Sequence, residues 1–389
     1  MKQASSRARA LRRSEIRLLF DTADRHPSAI RLEVGEPSFT TPTHIIEAAA
    51  AAAIAGHTGY GPNGGLRSLR ELLVEKLWRV NGLDVDIEQI VVTPGGMNAL
   101  FSIYMALLDP GDQVLLPTPG FPNMDEMVRL VGGDPVFYRL DVTNGFIPRI
   151  DDLDAAMTDR SKVLFINTPS NPTGTVFPAA VMEQLVAFAQ KNDLWLLSDE
   201  VYDELVLDPK LTHTPAAIFD EDGRVITVFS FSKVYAMTGW RVGYAVAPPD
   251  IAALLRTLQE PQVSCPSTIS QKAAEAALTG PRSSIDAMRD AYRRRALAAA
   301  KVAADSGLGA VPPSGTMYML IDISDAKEPS LEFALRLLEE RAVSVAPGSV
   351  FGPGGEGWIR ISLAVEEDVI AEGMRRIADA VRERAVLPA

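Results

Sequence analysis

Two serines, a lysine and an arginine crowd one short stretch of this chain: Ser230-Phe231-Ser232-Lys233, with Arg241 eight residues on. A lysine amine, with an ordinary pKa of about 10.4, is a poor free nucleophile at neutral pH. Bound as a Schiff base to a cofactor aldehyde, it is held ready for exchange. The two hydroxyls and the guanidinium make a plausible phosphate site. A second group, Ser198-Asp199-Glu200-Val201-Tyr202, contains a carboxylate that fits another need. An enzyme of pyridoxal 5'-phosphate (PLP) requires a negative charge against its pyridine nitrogen, which keeps the nitrogen protonated and the ring electron-withdrawing. Tyr202 could then donate to the ring's phenolic oxygen, and so could the amide of Asn171 in Asn167-Thr168-Pro169-Ser170-Asn171-Pro172-Thr173-Gly174. A third turn, Thr93-Pro94-Gly95-Gly96-Met97, would let backbone amides approach an anion at a helix N-terminus. It lacks the Gly-Lys-Ser/Thr ending of a nucleotide-binding loop.

Taken singly, each of these has an ordinary reading. Lys233 could be an exposed lysine, Asp199 a helix cap, Asn171 a loop residue and Gly95-Gly96 a tight turn. What they share is position: each follows a short apolar run. The runs are Gln89–Thr93, Lys162–Ile166, Leu194–Leu197 and Val225–Phe229, with a further one at Gln113–Leu116. Helical spacing at His44–Ala55 and Gly65–Val80, and near 96–108, 121–132 and 178–192, places helices among them. Strands alternating with helices imply a mostly parallel sheet covered on both faces. In such sheets ligands sit at the carboxyl ends of strands. Beyond about residue 248 the pattern changes to helices near 249–262, 267–278 and 284–305. A tail follows with strands near 317–323, 342–346 and 357–363 and helices near 330–341 and 366–386. The expected domains are a large cofactor-binding unit over 45–283 and a small α+β unit of 1–44 plus 284–389.

Bulk properties narrow the partners. The chain has 389 residues, 47% of them hydrophobic and 23% charged, ordinary values for a globular protein. A net charge of −12 argues against nucleic acid or anionic membrane as a general partner. No apolar run reaches the roughly 18 residues of a membrane helix. The single cysteine, Cys265, excludes an internal disulfide and fits a reducing cytoplasm. The Arg- and Ser-rich first 20 residues read better as a capped amphipathic helix beginning at Ser14 than as a transit peptide. No metal site is expected.

Taken in order, the motifs resemble those of the class I/II aminotransferases of PLP fold type I. Six segments match: Gly35-Glu36-Pro37-Ser38-Phe39, Tyr60 through Gly65, Gly95-Gly96-Met97, Asn171 through Gly174, Ser198 through Tyr202, and Ser230 through Arg241. The resemblance runs from about Ser14 to Ala380. It implies a mainly parallel seven-stranded sheet and a homodimer with shared sites. By the same resemblance Lys233 holds the cofactor and shuttles a proton, and Asp199 partners the pyridinium. Asn171 and Tyr202 face the phenolic oxygen. Ser230, Ser232, Arg241 and the amides of Gly96 and Met97 bind phosphate, and Tyr60 reaches the neighbouring subunit's phosphate. Phe121 falls where the family stacks an aromatic on the ring. Arg360, in Trp358-Ile359-Arg360-Ile361-Ser362, matches the arginine that grips the substrate α-carboxylate, helped by the Gly35 backbone.

The reaction so implied is ping-pong transfer of an amino group from an amino acid to a 2-oxo acid. Other PLP reactions on the same scaffold stay open on the motifs: β-lyase chemistry, ACC-synthase-like elimination and racemisation. A non-catalytic regulator would need a fused DNA-binding domain, and only about 30 residues precede the Gly35 motif. One departure bears on substrate. Aspartate-specific bacterial relatives often carry Lys after the Gly-Gly turn, where this chain has Met97. An apolar side chain there points away from aspartate as the best donor.

Overall fold

The protein is described by a computed structural model over residues 3–11 and 15–386. Its centre is a seven-stranded sheet. Across the sheet the strands are Ile90–Thr93, Gly243–Val246, Val225–Ser230, Trp195–Asp199, Ser161–Asn167, Gln113–Thr118 and Asp134–Arg139. All neighbours run parallel except Gly243–Val246, which is antiparallel to both strands beside it. The fold is therefore α/β with a mainly parallel sheet, as expected.

The apolar runs became strands because they are buried on both faces. Ile90–Thr93, Gln113–Thr118 and Val225–Ser230 are buried at every position. Alternate residues serve opposite layers. Val163 and Phe165 pack in one cluster with Ile103 and Leu255 from the helices Gly96–Leu107 and Pro249–Val263. Leu164 and Ile166 face the other way, into a cluster with Met182 and Leu185 of the helix Ala179–Lys191. Each fully buried side chain of this size contributes about 1.5–3 kcal/mol.

Two strands of this sheet were not read from the apolar pattern. Asp134–Arg139 forms the sheet edge and has the composition of an edge, with Pro135 and charged ends. Gly243–Val246 is only four residues long and follows the Arg241 motif without a break. The helix expected over Gly65–Val80 is α-helical over Arg67–Lys76, then widens into a π-turn over Leu77–Asn81. Gly82, left-handed at φ 69, closes it. The first long N-terminal helix spans Glu15–Ala23, so the cap expected at Ser14 lies outside the described residues.

The C-terminal third builds a smaller sheet. Tyr318–Asp322 pairs antiparallel with Trp358–Ser362 at its centre, flanked by Ala310–Val311 and Ala346–Pro347. The long helix Ser283–Ser306 and the helices Ser330–Arg341 and Glu367–Val386 belong to the same region. Ile30–Arg31 from the N-terminal segment pairs with Val343–Ser344, so the chain's beginning is tied to its end. Among the described residues no helix is long and apolar enough to cross a membrane.

Candidate active site

The motif residues meet where the parallel strands end. Asn167 pairs with Asp199, so two strand ends are level; Asp199 pairs with Val228, and the third strand runs two residues further to Ser230, opposite Gly243. They open into a cavity of about 530 Å³. Every site residue expected from the sequence lines it except Tyr60. Tyr60 is 93% exposed, on the protein's outer surface.

One part of the cavity is built for an anion. Gly95 has φ +79, and a Cβ there would lie 2.6 Å from Arg241 Nη2. A Cβ on Gly243 would lie 2.7 Å from the Gly96 amide nitrogen. Glycine at both positions lets the guanidinium and the first turn of helix Gly96–Leu107 come together, with unpaired amides at a helix start. Arg241 is itself left-handed, at φ 53, and its Nη1 donates to the Thr238 carbonyl at 2.9 Å. Ser230 Oγ accepts from the Ser232 amide at 3.1 Å, which caps the short helix carrying Lys233. The Lys233 amine donates to the Gly35 carbonyl.

Asp199 is 3% exposed, and its Oδ1 has no hydrogen-bond partner. Burial pushes its carboxyl up to about 7. The Val201 amide and Lys233 pull the other way, while neighbouring Glu200 adds to the rise. A buried carboxylate with a free oxygen is costly to keep. It suits a ligand that brings a positive N–H to it.

Arg360 is equally buried but well held. Its Nη1 donates to Asn171 Oδ1 at 3.0 Å and its Nη2 to the Glu33 carbonyl at 2.9 Å. Nε and the second hydrogen on each Nη stay available for a carboxylate. Asn171 is fixed in turn through its amide, which donates to Asn167 Oδ1 at 2.7 Å, and Asn167 Nδ2 donates to the Asp199 carbonyl at 3.0 Å. A continuous chain of hydrogen bonds thus joins Arg360 to the strand end that carries Asp199.

Met97 and Phe121 line the same space, together with Leu100, Val201 and Ile16. The cationic side chains lining the cavity among the described residues are Lys233, Arg241 and Arg360. Asn167 and Tyr318 belong to the site and had no assigned role in the sequence reading. Asn167 stood inside a quoted motif; Tyr318 opened an apolar run, and its hydroxyl was the only signal. Tyr202 donates to the Tyr318 hydroxyl at 3.3 Å.

Known proteins share this arrangement of chain. A family model described as aminotransferase class I and II matches residues 27–377. The chain is 40% identical to an aspartate aminotransferase of Pyrococcus abyssi over 95% of its own length and 96% of that relative. It is 38% identical to aromatic-amino-acid aminotransferase 2 of Thermococcus litoralis, covering 98% of this chain and 99% of the relative. The solved structure of Thermus thermophilus aspartate aminotransferase with maleate superposes with a TM-score of 0.93 at 36% identity, over 98% of this chain and all of that one. These relatives are named for amino transfer, the reaction that the motifs left open beside elimination and racemisation.

Proposed function

The chain belongs to the class I and II aminotransferases, a family that uses pyridoxal 5'-phosphate, and from that premise we propose that its cofactor sits at the strand ends, joined to Lys233. The observation that carries this reading is the partnerless Asp199 oxygen, buried in the cavity that the Lys233 amine also lines. Donor by donor, the residues fit the group. The Asp199 oxygen suits a protonated ring nitrogen. Ser230, Ser232, Arg241 and the Gly96 and Met97 amides suit a phosphate. Tyr202 and Asn171 suit the phenolic oxygen, and Phe121 offers a flat apolar face.

When bound, the cofactor supplies an electron-withdrawing ring that stabilises charge developing at the substrate Cα. The protein does the rest. Arg360 grips the α-carboxylate with the N–H groups that Asn171 and Glu33 leave free. The Gly35 backbone closes over the same end. Lys233 Nζ takes the Cα proton and later returns it. Asp199, charged once a cation lies against it, holds the ring nitrogen's proton in place. Two half-reactions follow in turn, one amino acid leaving as a 2-oxo acid before a second oxo acid is aminated.

Met97 and the apolar wall beside it favour donors with neutral or aromatic side chains over aspartate. No cation beyond the three with assigned roles lines the cavity among the described residues, and a buried distal carboxylate without a partner costs several kcal/mol. We read the functional unit as a homodimer, because Tyr60 lies outside its own chain's cavity and exposes its ring. The large unit would be 45–283 and the small unit 1–44 plus 284–389, a division supported by the pairing of Ile30–Arg31 with Val343–Ser344. The single cysteine suits a cytoplasmic setting.

Borohydride reduction followed by peptide mass analysis tests the central assignment. The cofactor's mass should appear on the peptide containing Lys233. In Lys233→Ala both trapping and turnover should vanish. Normal turnover in that variant contradicts the reading.

A further inference from the structure

Tyr318 is fully buried against the cavity, and its ring and hydroxyl touch different parts of the site. Strand register puts it there. Tyr318 pairs with Ser362 and Leu320 with Arg360 in the antiparallel pair, so Tyr318 and Arg360 are diagonal neighbours. At that spacing an aromatic ring and a long side chain can meet. The Arg360 guanidinium lies 4.2 Å from the Tyr318 ring centre, closer than the 5.2 Å to Phe351. At the other end of the side chain, the hydroxyl accepts from Tyr202 at 3.3 Å. It also abuts Gly35, where an added Cβ would lie only 3.1 Å from it. Gly35 is the residue whose carbonyl holds the Lys233 amine.

We infer that Tyr318 is a positioning residue with two separable duties: its ring holds Arg360 for the substrate carboxylate, and its hydroxyl fixes the direction of the Tyr202 proton. The inference rests on the cofactor reading above, and deepens it at the carboxylate-binding and phenol-binding ends.

Each duty has its own physical support. Arg360 is buried, its Nε has no partner, and burial lowers its pKa from the usual arginine value. A π-face is a favourable contact for a cation stripped of water in this way. The two phenols, for their part, are driven apart. Burial raises both, but the positive charges of Lys233 and Arg360 and the Tyr202 hydrogen bond outweigh it at Tyr318, whose pKa is lowered. Tyr202 is raised, by burial first and then by Tyr318. At 3.3 Å the Tyr202 hydroxyl donates to Tyr318, so the Tyr318 oxygen holds that proton's direction until a ligand oxygen competes for it.

Two variants separate the duties. Tyr318→Phe keeps the ring and removes one atom; Tyr318→Met keeps bulk and removes the ring as well. In Tyr318→Phe the KM for the best amino donor should stay within about twofold while kcat falls about tenfold. The pH midpoint of the cofactor-loaded protein's visible absorbance should move by about half a unit or more. Tyr318→Met should add a rise in KM of about tenfold over Tyr318→Phe, the equivalent of a desolvated cation–π contact. Wild-type kcat and midpoint in Tyr318→Phe, or equal KM values in the two variants, overturns the inference. Tyr318→Phe is the smaller change and keeps the test decisive if Tyr318→Met does not fold. Wild-type protein is loaded and trapped with borohydride first. Failure there contradicts the cofactor reading, whereas trapped wild type with unaltered variants contradicts only the part given to Tyr318.

Discussion

Asp199 ends a strand and Asp203 lies four residues on, in the turn that follows; both are buried, and their carboxyl groups are shifted in opposite directions. Burial raises each. At Asp203 the rise is overcome by Lys76, whose Nζ lies 2.5 Å from Oδ2, and by Asn81 Nδ2 at 3.0 Å, so its pKa falls below the usual value. Lys76 is itself braced by Asn81 Oδ1 at 2.8 Å and lies over the Phe229 ring at 4.9 Å. Asp199 has no such counter-charge within hydrogen-bond reach, and one of its oxygens is bare. The same burial therefore has two outcomes. Where the fold supplies the partner, the carboxylate belongs to the scaffold. Where the fold withholds it, the carboxylate waits for a ligand.

Substitution at Asp199 should separate rate from stability most sharply. Asp199→Asn keeps the shape and loses the charge, so kcat should fall about a thousandfold or more. Cofactor-free protein should respond in the opposite sense. The carboxyl's ordinary value is 3.8 and its folded value about 7. Between those values the folded chain holds a proton that the unfolded chain has lost. Stability from this group therefore falls as pH rises through that window and stays low above it. The penalty above it is on the order of 4 kcal/mol. Cofactor-free Asp199→Asn should accordingly melt higher than wild type at pH 8, with the gap narrowing as pH drops toward 5. A gap independent of pH would mean that Asp199 carries no such penalty.

Lys76→Met should do the reverse. It strands Asp203 as an uncompensated buried charge, a loss of about 3–5 kcal/mol in denaturant unfolding. Below the melting range kcat should change by less than about threefold, because no reacting group is touched. A large kcat loss with intact stability would erase the distinction between the two aspartates.

The smallest expected effect tests whether a wall residue can change which charge the cavity accepts. Met97→Lys should shift the ratio of kcat/KM for aspartate over phenylalanine by about tenfold toward aspartate, measured with one common acceptor. Wild type should favour phenylalanine, methionine or alanine over aspartate in the same assay. A tenfold wild-type preference for aspartate over all three would show that a distal cation was overlooked.

Much of this site is legible in the sequence alone. Apolar runs ending at Ile166, Leu197 and Phe229, just before Asn167, Asp199 and Ser230, marked strand ends, and strand ends are where open parallel sheets bind ligands. Glycines at 95 and 96 marked a close approach, and Lys233 with Arg241 marked an amine beside an anion site. Those features are local: a run of β-branched and apolar residues, a turn and a few polar side chains within one short segment.

Other features had no local signature. Asp134–Arg139 has only Val136, Phe137 and Tyr138 as an apolar run, between Pro135 and Arg139, because an edge strand has one hydrogen-bonded neighbour and carries charge and proline at its ends. Tyr318 looks like any aromatic in an apolar strand until register sets it diagonally across from Arg360. Asp199 and Asp203 cannot be ranked from their spellings, since the lysine that neutralises one of them lies 127 positions away in the chain. The sequence by itself determined the strand–helix order and the chemistry available at each strand end, because both depend on residues adjacent in the chain. Only the tertiary structure decided which buried charges are matched and which is left open, because desolvation and Coulomb interaction depend on distance in space and not on separation along the backbone.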